Sequence, residues 1–313
     1  MSENTDFQNA MVLLQSGRRK EATKEFLNLY TKVTSIGFRL QVIDALLSSL
    51  DPIRQTNKLI EVADDGINIA QQLNRPEMKA HFMAAKATHI MKEIYSLKYR
   101  QYNLKLLPQR WINFSTERDQ AEYAHVTKAI DDKEDEVDNL ISEATKLADL
   151  TNNKVVQAYV AMSVGDVHHS RYMNLKMDAI PGRSMRAKWW RRLKPLRQRG
   201  LENYLFFNLH EIRALRNHLS RVERSFLRAA ELFRAINDPS EAHAFYNLAN
   251  HLRISFKFRQ AINYLKKARV VAQKHNQELL VKQIDELARI VKTRNKDVPN
   301  YLEGETRKEV TLD

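Results

Sequence analysis

Ala244-Phe-Tyr-Asn-Leu-Ala-Asn-His-Leu252, followed after five residues by Phe258-Arg-Gln-Ala-Ile-Asn-Tyr-Leu-Lys-Lys-Ala268, is the stretch on which the fold turns. In both segments apolar or small residues recur at three- and four-residue steps, which gathers them on one face of an α-helix. Asp238-Pro239-Ser240-Glu241 precedes the first segment and reads as a helix start, with proline supplying a helix-compatible φ. Downstream, Ile262, Leu265, Ala268, Val271 and Ala272, then Leu280, Ile284, Leu287 and Val291, continue the same stripe. Two amphipathic helices joined by so short a break read as a helix–turn–helix unit.

The unit recurs. Ile141-Ala144-Leu147-Asn152, Phe226-Ala229-Leu232-Asn237 and Leu265-Ala268-Val271-Asn276 share apolar, Ala, apolar and Asn at identical spacing, and Ile67-Ala70-Leu73-Asn74 is a close variant. A small Ala in each copy lets the next helix approach closely. The Asn suits a helix end because it tolerates the left-handed conformation. Near the N-terminus Ala10, Leu13, Gly17, Ala22, Phe26 and Leu29 repeat the pattern, with Gly17 at the inter-helix turn.

On Phe245, Leu248, Ala249, Leu252, Phe258, Ala261, Leu265 and Ala268, which occupy its packing positions, the chain resembles the tetratricopeptide repeat family. Phe256 stands at the turn position where that family usually has Gly. The resemblance implies an all-α, right-handed superhelical solenoid of antiparallel helix hairpins, with first helices lining a concave groove. Measured along Leu29, Ala70, Ala144, Ala229 and Ala268, the gaps are 41, 74, 85 and 39 residues. These exceed the family period of about 34, so helices are lengthened. The two long gaps hold either hidden repeats or extended hairpins, and Glu77 to Leu107 and Leu201 to Asn237 could each be one long helix. We expect eleven to thirteen helices and no strand, with ends near Gly17, Gly37, Pro52, Pro76, Pro108, Pro181-Gly182, Pro195, Gly200, Pro239 and Pro299. Residues 1–296 form one array, closed by a capping helix at 277–296, and 297–313 is a flexible tail.

Composition agrees with this and excludes other classes. Seven Gly and seven Pro in 313 residues are too few for an all-β chain or a glycine-rich phosphate loop. Without Cys there are no disulfides or thiolate metal sites. The first twenty residues lack the charge order of a secretory signal, and no apolar run is long enough for a membrane span, so the expected location is cytoplasmic. The formal charge of +13 divides into −2 over residues 1–150 and +15 over 151–313. The basic half is a candidate surface for an anion.

No HExxH, Walker, GxSxG or dinucleotide motif occurs. Glu122-Tyr-Ala-His125 is a single Glu-x-x-His without the second copy a di-iron bundle needs. His168-His169 and the pairs His81/His89 and His243/His251 lack compact ligand spacing. Asp64-Asp65 and the acidic run 131–138 read as solvated helix faces. We expect no enzyme activity, cofactor or metal.

Two binding regions stand out. The segment 183–199 carries eight Lys/Arg and no acid, with Trp189 between Met185 and Leu193 on one helical face. Arg183, Arg186, Lys188, Trp189, Arg191, Arg192, Lys194, Arg197 and Arg199 form a candidate anion patch for an acidic protein, nucleic acid or lipid headgroups. The bland alternative packs Trp189 and Leu193 into the array and leaves the arginines solvated. In the groove, the resemblance places Tyr246, Asn250 and Arg253 at lining positions, although Asn250 could instead bond a neighbouring backbone carbonyl. A full carboxylate clamp is not supported, because Met11 and Glu211 hold the equivalent places. The expected function is a non-catalytic scaffold whose groove holds a protein or peptide, acidic by preference. The alternative is nucleic-acid association through 183–199.

Overall fold

The structure is a computed structural model that describes residues 3–51, 54–110, 117–178 and 209–293. It is all-helical, with eleven helices and no strand among those residues. They are α1 (Glu3–Gln15), α2 (Arg19–Lys32), α3 (Ile36–Ser49), α4 (Thr56–Gln72), α5 (Pro76–Arg110), α6 (Glu117–Thr151), α7 (Lys154–Asp178), α8 (Leu209–Ala235), α9 (Ser240–Ile254), α10 (Phe258–Lys274) and α11 (Glu278–Lys292). Each packs against the next in sequence, and α1 with α3, α5 with α7 and α9 with α11 also touch.

The recurring Asn and Ala do what their chemistry predicts. Asn74, Asn152, Asn237 and Asn276 end their helices with φ of 51–53°, the left-handed conformation that reverses the chain. Beside three of them a backbone N–H reaches back to close the last turn: Arg75 to the Ala70 carbonyl at 2.8 Å, Asp238 to Phe233 and Gln277 to Ala272 at 2.9 Å. Gly17 does the same at φ 81°. Phe256, at φ 61°, adopts this geometry without being Gly, and its ring packs edge-on against Phe258 at 5.9 Å and under the Lys176 ammonium at 5.0 Å. Ala70, Ala144, Ala229 and Ala268 are completely buried.

Two further close approaches use glycine inside a helix. A Cβ on Gly66 of α4 would lie 2.9 Å from the Phe82 ring of α5, and one on Gly165 of α7 would lie 2.8 Å from the Phe226 ring of α8. Phe82, Phe226 and Phe233 are fully buried, each contributing about 1.5–3 kcal/mol through lost apolar exposure. The C-terminal core joins α7 to α11 through Phe226, Phe233, Phe245, Leu248, Leu265, Ile284 and others, and a separate N-terminal core joins α1 to α5.

Between them lie the long hairpins. The 74-residue gap is one extended hairpin, with α5 and α6 of 35 residues each, about 50 Å long at 1.5 Å per residue. Lys79, Lys86, Glu93 and Arg100 recur at seven-residue steps along α5 and pair with Glu143, Glu136, Lys133 and Glu122 of the antiparallel α6. Such a period keeps one flank of a helix against its partner over many turns. Thus the acidic run is not simply solvated: Glu134 and Asp138 hold Arg171 of α7 at 2.8 Å, and Glu136 shares Lys86 with Asp64 of α4. Asp65 likewise bonds Tyr30 and Arg39.

Two expected helix ends lie within two residues of observed ones. Gly37 is the second residue of α3, and α5 continues past Pro108 to Arg110. A proline so near the end of a helix forfeits one hydrogen bond in the last turn and need not stop it sooner. The helix expected over 277–296 is α11, whose Leu280, Ile284, Leu287 and Val291 are buried while its exposed face carries charged side chains and Leu279. Pro52, the segment 183–199, Gly200 and the tail 297–313 lie outside the described residues.

Candidate functional site

The odd-numbered helices α3, α5, α7 and α9 present one connected face. Across it the His81 Nε2 and Asp44 Oδ1 lie 2.8 Å apart, joining α5 to α3. The His81 ring meets the Tyr159 ring of α7 edge-on at 5.6 Å, and the Tyr159 hydroxyl reaches Ser240 Oγ of α9 at 3.4 Å. Tyr159 in turn rests on the buried Phe233 ring at 5.2 Å, so the core fixes its position. Four helices therefore place four polar groups in a row without any local sequence motif.

Deeper along the same helices lie Lys92 of α5 and Asp166 of α7. Helical spacing sets them on the faces that carry His81 and Thr88, and Tyr159, Ser163 and Ser170. Burial lowers the Lys92 ammonium below its usual range, with Asp166 and Asp51 opposing and Arg19 reinforcing that shift. Burial pushes the Asp166 carboxyl up to about 7, against the pull of Lys92. Burial therefore favours the protonated carboxyl of Asp166, which can donate as well as accept a hydrogen bond.

The three expected groove residues of α9 are placed differently from one another. Tyr246 is half-buried and packs on the C-terminal core. Asn250 Oδ1 accepts hydrogen bonds from Arg253 Nε at 3.1 Å and from an Arg253 terminal nitrogen at 3.0 Å. Asn250 and Arg253 therefore act as one unit on α9. Asp44, Lys92, Tyr159 and Asp166 were not singled out in the sequence, and His81 was considered there only as half of a metal-ligand pair with His89. Their only signal there is a polar residue recurring at four- and seven-residue steps on α5 and α7.

The histidines form pairs between helices rather than within one. His168 and His218 bring their Nδ1 atoms to 3.3 Å between α7 and α8, and His169 and His251 to 2.6 Å between α7 and α9. Burial lowers all four, His168 to about 3, His169 and His218 to about 4, and His251 to about 2. Among the described residues no group of three or more His, Asp or Glu is placed to hold a metal ion, and no helix is long and apolar enough to cross a membrane. Arg183, Arg186, Lys188, Trp189, Arg191, Arg192, Lys194, Arg197 and Arg199 lie outside the described residues. No protein-family model matches the chain, and no curated protein is detectably similar to it.

Proposed function

We propose that the chain is a non-catalytic scaffold that binds a protein or peptide along the face of α3, α5, α7 and α9. In this reading the hairpins form a right-handed superhelical array of tetratricopeptide-like units, and that face is its concave groove. The observation that carries the proposal is the row Asp44, His81, Tyr159 and Ser240, contributed one per helix, with Lys92 and Asp166 further along α5 and α7. A row of separated polar and aromatic groups on rigid helices suits an extended polypeptide, which offers a backbone amide at every residue. The cations of the C-terminal half favour an acidic partner through steering of encounter.

The test is selection of peptides from a random display library on the immobilised chain. Selected peptides should lose at least tenfold in affinity for Lys92→Ala and for the pair Tyr246→Ala with Asn250→Ala, at unchanged helicity. Peptides that bind all variants equally would remove this face as the site.

A further inference from the structure

We propose that the exposed face of α8 is a separate site for the phosphodiester backbone of a nucleic acid, with Arg213, Arg221 and Arg224 as its contacts. The side chains exposed along Ile212–Ala235 are six arginines, Asn217, Ser220, Glu231 and Ala235. Arg213, Arg216, Arg221, Arg224 and Arg228 fall within about 140° of the helix circumference and span about 22 Å of its length. They form a continuous cationic row.

Part of the row is engaged within the protein and part is not. Arg228 pairs with Asp149 of α6 at 2.9 Å, and Arg234 pairs with Glu241 of α9 at 2.7 Å. Glu223, the acid nearest the middle of the row, is taken by Lys257. Arg213, Arg221 and Arg224 have no carboxylate partner among the described residues. The acidic helix α6 does not neutralise them, since most of its ion pairs go to α5 and to Arg171. Beside α8, helix α10 carries Arg259, Lys266, Lys267, Arg269 and Lys274 and no acid, with Arg269 paired to Asp285 of α11 and Lys274 bonded to Asn237.

The composition of the face selects among anions. A lipid surface is held by a helix that also offers apolar side chains for insertion, and a partner helix is held along an apolar seam. The exposed face of α8 has neither, because small polar Asn217 and Ser220 separate its arginines. A phosphate backbone needs no seam. It presents about one charge per 1.7 Å of duplex axis, and each guanidinium can meet a phosphate through two parallel hydrogen bonds.

The experiment follows fluorescence anisotropy of a short labelled duplex DNA and a short labelled RNA with the full chain, between about 50 and 200 mM salt. Affinity should fall steeply with salt. The triple variant Arg213→Gln, Arg221→Gln, Arg224→Gln should bind at least tenfold more weakly at low salt, and its log–log salt slope should be shallower by about 2–3, from about 0.9 per lost phosphate contact. The corresponding triple Arg→Lys variant, which keeps the charge, should retain most of the slope. Arg224→Gln alone should remove about 0.9, a readout that remains if the triple variant folds poorly. A second triple variant, Arg191→Ser, Arg192→Ser, Lys194→Ser, separates this face from the basic segment. Binding lost there and untouched by the α8 variants overturns the proposal. So does equal, arginine-dependent binding of phosphatidylserine vesicles, or equal competition by polyglutamate.

Discussion

Asn276 closes α10 with φ 53° and an exposed side chain, so its role is conformational. Asn276→Ala should cost about 1 kcal/mol, because a Cβ without a local hydrogen-bonding group disfavours the left-handed region. Asn276→Gly should be close to neutral, and paired thermal melts check both. The glycines inside helices make the opposite case. Gly165→Ala improves helix propensity by about 1 kcal/mol yet sets a methyl 2.8 Å from the Phe226 ring, which is buried and cannot swing away. Overpacking of this kind costs about 1–3 kcal/mol, so the melting point should fall. Gly37→Ala, with nothing within 4 Å of the new Cβ, should leave stability equal or higher. If Gly165→Ala proves as benign as Gly37→Ala, α7 and α8 do not approach as closely as described. The turn asparagines are legible in the sequence because their requirement is local, a left-handed residue at a helix end. Gly66 and Gly165 are not, because the reason for each is a phenylalanine ring brought in by another helix.

The long hairpins show where local pattern stops being sufficient. The repeat ruler finds gaps of 74 and 85 residues, but spacing alone cannot separate two weak units from one extended pair. What separates them in the 74-residue gap is cross-helix pairing between α5 and α6, and each partner viewed singly is an ordinary surface charge. Arg171 illustrates the energetic consequence. Its side chain is only 12% exposed and meets Glu134 and Asp138, tying α7 to α6. The two carboxylates hold the guanidinium charged, its pKa above the usual value despite the cost of burial. Arg171→Leu would leave Glu134 half-buried without its partner, and stability should fall by about 1–3 kcal/mol. Urea titration would read this as a lower midpoint at unchanged slope. An unchanged midpoint would mean that the pair contributes no more than an exposed one. The polar row was illegible for the same reason as the ion pairs: Asp44, His81, Tyr159 and Ser240 come from four helices, and no two are near in sequence.

At the scale of the whole molecule, five imidazoles that burial lowers strongly among the described residues, with His243 shifted in the same direction, make stability depend on pH. Burial lowers His89 and His168 to about 3, His169 and His218 to about 4, and His251 to about 2. Nearby cations add to this: Lys92 at His89, Arg171 and Arg221 at the α7–α8 pair, Arg253 at His169, and Lys176 and Lys257 at His251. In the unfolded chain each titrates near 6.5. Below that value the unfolded state binds protons that the folded state refuses, so stability is fully present above pH 6.5 and is lost as pH falls toward 4. Each imidazole contributes up to about 1.4 kcal/mol per pH unit in that window. Asp166 acts in the opposite sense. Its carboxyl, raised to about 7 from 3.8, favours the folded state at low pH and loses that advantage as pH rises. One carboxyl cannot offset five imidazoles, so the melting point should climb between pH 4.5 and 6.5 and then level. The double variant His169→Met with His251→Met removes one buried pair and should flatten the climb. A melting point constant from pH 7 to 5, or a climb that the double variant leaves intact, would show that these rings are not held neutral between α7 and its neighbours.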